Sequence, residues 1–103
     1  MNVIISNKFL AKLESHRSDL KRFGVQRIGL FGSCLRGEEQ DRSDVDLLVE
    51  FEEGYLKLAN IVDLGDYLEN LFGRRVELIT PDSLSPYIGP HILQEVQYAK
   101  LAA

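Results

Sequence analysis

The stretch Ile28-Gly29-Leu30-Phe31-Gly32-Ser33-Cys34-Leu35-Arg36-Gly37, followed by Ser43-Asp44-Val45-Asp46-Leu47-Leu48-Val49, decides the fold. An apolar run leads into a tight Gly-Ser turn, and two carboxylates spaced i, i+2 come ten residues later. On a strand, successive side chains point to opposite faces. Val45, Leu47 and Val49 therefore face a core, and Asp44 and Asp46 share the other face. Their Cα atoms lie roughly 6.5–7 Å apart, two strand rises. Side chains at that spacing can converge on one cation or bracket a pair of cations about 3.5–4 Å apart. Without a positive charge between them, two such carboxylates repel and weaken the strand. The pattern suits a site that holds a nucleoside triphosphate and its divalent metals.

Two rival motifs fail on inspection. Gly32-x4-Gly37 begins like a phosphate-binding P-loop, which needs Lys and then Ser or Thr after the second Gly. Here Glu38 and Glu39 follow, so the charge has the wrong sign. The acidic run 41–46 suggests a calcium loop, which needs oxygen ligands at alternate positions and Gly at the sixth. Counted from Asp44, the fifth and sixth positions are Leu48 and Val49; counted from Asp41, they are Val45 and Asp46.

With 103 residues, the chain is expected to form one domain over 1–103 with a single modest core. Apolar residues make up 45% and charged residues 27%, which excludes wholesale disorder. The net charge of −4 argues against sequence-independent nucleic-acid binding, which relies on Lys and Arg to displace counterions. Cys34 is the only cysteine, so no intramolecular disulfide forms and a reducing cytoplasm fits. No motif pairs Cys34 with a His. Neither a run of transmembrane length nor a signal-peptide pattern is present, so a soluble, cytoplasmic protein with no membrane partner is expected.

Residues 6–23 read as a helix, with Ser6 as N-cap, Phe9, Leu10, Leu13, Leu20 and Phe23 at helical spacing, and Gly24 just past the end. His16 has no partner spaced to join it and reads as a surface or boundary residue. A first strand over 25–31 leads into a short helix at 33–36, a polar turn over 37–42 and a second strand over 44–51. A helix over 56–72 is expected to turn Leu58, Ile61, Val62, Leu68 and Leu71 inward. Gly65 within it costs about 1 kcal/mol relative to Ala, which close packing on the sheet would explain. A third strand spans 75–79, a loop 81–85 and a last helix 86–101, with Ile88, Ile92, Val96 and Ala99 on one face. Pro90 suits its first turn. In the third strand Glu77 points away from Val76 and Leu78. It is a third carboxylate if that strand pairs beside the second; otherwise it is a solvated residue beside two arginines.

Taken together, Gly32-Ser33, ten residues, then Asp44-x-Asp46 resembles the signature of the minimal nucleotidyltransferases, small relatives of DNA polymerase beta and the kanamycin nucleotidyltransferases. The resemblance covers nearly the whole chain, including Arg36-Gly37 and the Arg75-Val76-Glu77-Leu78-Ile79 strand. It implies an α/β (α+β) nucleotidyltransferase fold, a small mixed sheet flanked by helices. By that likeness Gly32 and Ser33 hold the triphosphate, Asp44 and Asp46 are catalytic ligands of Mg²⁺, and ATP is the donor. Turn N–H groups at a helix start supply an anion site without a lysine. Arg36 either touches phosphate or a partner, or braces the turn by an ion pair. The family usually places Asp where this chain has Glu77, which is one methylene longer and still able to ligate metal or act as general base.

Stand-alone members resemble the antitoxin half of HEPN/MNT toxin–antitoxin pairs, in which AMP passes from ATP to a tyrosine hydroxyl of the HEPN ribonuclease. A chain of this size is nearly all nucleotide-handling core, which favours a protein acceptor over a small molecule. Two readings follow. One is a Mg²⁺-dependent adenylyltransferase acting on a HEPN toxin. The other is a non-catalytic antitoxin that occludes the toxin, with the acidic stretch 38–41 facing a basic ribonuclease. A small-molecule nucleotidyltransferase is the more distant alternative.

Overall fold

The structure is a computed structural model, and it describes residues 7–102. The first helical region is two helices, α1 (Lys8–Ser15) and α2 (Arg17–Arg22), where the apolar spacing suggested one. Asn7 caps α1, its Oδ1 accepting from the N–H groups of Phe9 and Leu10 at 2.8 and 3.1 Å. The expected cap, Ser6, lies outside the described residues. The break falls at His16, where two side chains compete for one carbonyl. The Ser15 hydroxyl donates to the Lys12 oxygen at 2.9 Å, and the His16 ring Nδ1 lies 2.8 Å from the same oxygen. The His16 N–H turns instead to Leu13, at 3.1 Å. Local side-chain bonds of this kind draw the backbone out of its helical ladder.

Four strands form one mixed sheet in the order β3–β2–β1–β4: β1 (Val25–Phe31), β2 (Val45–Phe51), β3 (Val76–Ile79) and β4 (Gln97–Tyr98). The β1–β2 pair is antiparallel and β2–β3 parallel. α3 (Ser33–Arg36) follows β1, and α4 (Leu58–Phe72) is the crossover from β2 to β3. On one face of the sheet Val45, Leu47 and Val49 are fully buried in a core with Leu13, Leu20, Leu64 and Leu68. On the other, Leu48 packs with Phe31, Ile92 and Val96 in a smaller cluster under α5 (Gly89–Glu95).

Two expectations are corrected. In α4, Leu58 and Val62 do not turn inward; they are 78% and 52% exposed, while Leu64 and Leu68 are fully buried. At about 100° per residue, Val62 lies some 200° round the helix from Leu64. The buried stripe therefore runs through Leu64 and Leu68 and leaves Leu58 and Val62 outside. The helix over 86–101 also does not form as one element. α5 stops at Glu95, Val96 adopts extended backbone, and Gln97 and Tyr98 pair with Leu30 and Gly29. Gly29 admits this strand: a Cβ there would lie 2.5 Å from Val96 Cγ2 and 2.9 Å from Tyr98 Cδ1. Ile88 is consequently exposed, whereas Ile92, Val96 and Ala99 are buried. Gly65 meets only Leu78 Cδ1, 3.8 Å from a built Cβ, so close packing does not demand a glycine there. Pro81–Ser83 forms a single 3-10 turn within the expected loop. No helix among the described residues is long and apolar enough to cross a membrane.

Candidate active site

Strand register builds the site. Phe31 pairs with Asp46 across β1–β2, so the turn after β1 lies beside the acids of β2. Gly32 opens α3 with φ +78°, and a Cβ there would lie 2.4 Å from Asp46 Oδ2. Glycine is required at this position twice over, by its backbone angle and by the carboxylate seated against it. Cys34, next in the turn, is buried and donates its thiol to the Asp44 carbonyl at 3.4 Å. Burial raises its pKa, so it behaves as an inert packing group. The Asn7 side-chain amide donates to the Cys34 carbonyl at 2.9 Å, tying α1 to the same turn.

On the other side of β2, Asp46 pairs in register with Glu77 of β3. Paired residues on adjacent strands share a face, so Asp44, Asp46 and Glu77 stand on one side of the sheet. Asp46 is half-buried, and its pKa is pushed up to about 6. Burial is the largest cause, followed by a hydrogen bond with Glu77 and the charges of Glu77 and Asp44; Arg36 opposes the shift. Negative charge therefore crowds Asp46 with too little positive charge to balance it. Among the described residues no three His, Cys, Asp or Glu side chains converge as a closed metal-holding group. Glu77 stands as a neighbour of Asp46, exposed to solvent.

Arg36 is engaged by two carboxylates, Glu38 at 2.8 Å and Glu95 at the end of α5. Sequence spacing offered no sign of Glu95, which lies 59 positions away in a region read as mid-helix. Arg74 was also missed. Its Nη1 donates to the carbonyls of Gln40 at 2.7 Å and Ser43 at 3.3 Å, strapping the loop that delivers Asp44. Two adjacent arginines with Glu77 close by read as solvated charge, and nothing in their spacing points to carbonyls more than thirty residues away.

The nucleotidyltransferase domain family matches residues 13–99. The protein adenylyltransferase MntA of Thermococcus cleftensis is 47% identical over 87 residues, covering 84% of this chain and 87% of its own. A candidate protein adenylyltransferase of Methanocaldococcus jannaschii is 39% identical over 89 residues, covering 84% of this chain and 89% of its own. Among solved structures, a candidate minimal nucleotidyltransferase superposes with a TM-score of 0.71 at 38% identity, over 85% of this chain and 93% of that one. A toxin–antitoxin structure with AMP-PNP gives 0.70 at 22% identity, over 88% of this chain and 72% of that one, a likeness of fold. A glycine turn seated against paired aspartates, in a mixed sheet of this order, agrees with that match over most of the chain: the protein belongs to the nucleotidyltransferase domain family.

Proposed function

We propose that this chain is a Mg²⁺-dependent protein adenylyltransferase that transfers AMP from ATP to a tyrosine hydroxyl of a HEPN ribonuclease, and so acts as its antitoxin in the cytoplasm. The observation that carries the reading is the seating of Asp46 against Gly32, which joins a phosphate-holding turn to a carboxylate pair. Gly32 and Ser33 take the triphosphate. The acceptor oxygen attacks the α-phosphorus and a P–O bond forms; the α–β bridge breaks, and pyrophosphate leaves with its electron pair. The hydroxyl proton passes to Glu77, the exposed carboxylate beside Asp46.

The donor set fits a divalent cation, because carboxylate oxygens suit Mg²⁺ and the crowded charge around Asp46 calls for one. Asp44 and Asp46 would hold it, with Glu77 as the third candidate. Bound there, it would neutralise charge building on the phosphates. Arg36, drawn to Glu38 and Glu95, braces the turn and reaches phosphate only by exchanging those partners.

The test is intact-mass spectrometry of the HEPN protein after incubation with this chain, ATP and Mg²⁺. A gain of one or more AMP units, absent with Asp44→Asn, is the expected result. A stable complex and a silenced nuclease without any gain would establish a blocking antitoxin instead. Charge pairing within the molecule counts against that alternative. Glu38 and Glu39 of the acidic stretch already face Arg36 and Lys8.

A further inference from the structure

The chain is acidic overall, yet the cleft beside Asp44 is lined by three arginines. Arg42, Arg74 and Arg75 surround a space of about 300 Å³ together with Asp41, Ser43 and Asp44. Arg74 is fixed by the two loop carbonyls it donates to. Arg42 and Arg75 are exposed, and neither forms an ion pair among the described residues. The Val45 N–H donates to the Arg75 carbonyl at 2.9 Å, so the β2–β3 pairing continues one residue before β3. Alternation then places Arg75 on the face of Glu77, beside Asp44.

Sheet order gives this cluster its meaning. Gly32 and Ser33 follow β1, on one side of β2, while Arg75, immediately before β3, and Glu77 within it lie on the other. In phosphoryl and nucleotidyl transfer the attacking and leaving oxygens stand roughly in line across the phosphorus. If the turn after β1 holds the leaving pyrophosphate, the acceptor oxygen arrives from the β3 side, past Arg75 and Arg42. Guanidinium groups bind oxyanions in paired hydrogen bonds.

We propose that Arg42 and Arg75, on the loop strapped by Arg74 and at the start of β3, form an oxyanion-binding subsite for the acceptor. The preferred acceptor carries an anionic group next to its hydroxyl. That group is either an acidic side chain of the acceptor protein or the phosphodiester left by a first transfer. The inference rests on the adenylyl-transfer reading above.

Three synthetic peptides, each acetylated at its N-terminus and amidated at its C-terminus, test it: Ala-Tyr-Ala, Glu-Tyr-Glu, and Ala-Tyr-Ala already bearing AMP on its tyrosine. Wild type should use at least one anionic peptide about tenfold better than the neutral one, in line with a charge-assisted hydrogen bond. The Arg42→Gln/Arg75→Gln variant should lose that preference with the KM for ATP unchanged within about twofold. Loss on Glu-Tyr-Glu identifies an acidic side chain, and loss on the adenylylated peptide a phosphodiester. Equal use of all three peptides by wild type, or a raised KM for ATP in the variant, would overturn the subsite. A second measurement stands apart from catalysis: inorganic phosphate is titrated, without metal or nucleotide, while arginine Nε–H signals are followed by NMR. Saturable shifts of Arg42 and Arg75 support the subsite, and their absence overturns it. If wild type modifies no peptide and no HEPN protein, the adenylyl-transfer reading fails, and the phosphate titration still decides the anion site.

Discussion

The two faces of β2 make a controlled comparison within seven residues. On one, Val45, Leu47 and Val49 are fully buried against the leucines of the helices; on the other, Asp46 is half-buried and its pKa is pushed up to about 6. The same strand, with the same neighbours β1 and β3, buries an unbroken apolar row on one side and, beside the smaller cluster at Leu48, carries crowded carboxylates on the other. The apolar face is satisfied by what the fold contains. The acid face is not: the carboxylates of Glu77 and Asp44 crowd Asp46, and Arg36 only partly offsets them.

Substitution at each face should break the comparison in opposite senses. Asp46→Asn should lower AMP transfer by ~10³-fold, the scale of losing one charge-stabilising group in an active site, while far-UV circular dichroism stays unchanged. Leu47→Ala should do the reverse, lowering stability by about 3 kcal/mol in urea unfolding through the cavity it leaves, with residual activity in the fraction that remains folded.

The same Gly→Ala change can be made on both sides. Gly32→Ala forces a methyl into the Asp46 carboxylate at a backbone angle that disfavours it. Transfer should fall by ~10²-fold, with about 1 kcal/mol of stability lost. Gly65→Ala, on the apolar side, meets only ordinary contact with Leu78. It should raise stability by about 0.5–1 kcal/mol, because it removes conformational freedom from the unfolded chain. If both glycines behave alike, the contrast between the faces is wrong.

A smaller effect concerns pH. The folded-state pKa of Asp46, about 6, lies above its ordinary value of 3.8, so between those values the folded chain holds a proton that the unfolded chain has lost. Stability of the metal-free protein should therefore fall as pH rises from about 4 to above 6. The expected loss is about 1 kcal/mol once solvent screening of this half-exposed group is allowed for. Urea midpoints at pH 4.5 and 7.5 measure it. Asp46→Asn should flatten the dependence, and added Mg²⁺ should offset the loss at the higher pH.

Much of this architecture is legible in local pattern, and the failures have local causes. The alternation Val45-Asp46-Leu47 and the Gly32-Ser33 turn state the strand, its two faces and the acid pair outright. The break at His16 was invisible because it depends on two side chains outbidding a backbone N–H for the Lys12 carbonyl. The last helix was over-extended because Ile92, Val96 and Ala99 fit a helical stripe as well as they fit a helix followed by a strand. The choice was made by Gly29, sixty-odd residues earlier, whose missing side chain leaves room for Val96 and Tyr98.

By itself, then, the sequence determined which residues of β2 face the main core and which carry charge on the opposite face, because side-chain alternation is a property of the strand alone. Only the tertiary structure decided that Glu77 lies in register with Asp46, that Glu95 holds Arg36, and that Arg74 straps the acid loop while Arg42 and Arg75 line the same cleft. Those pairings join residues distant along the chain, and their geometry follows from strand order and packing, which no local spacing encodes.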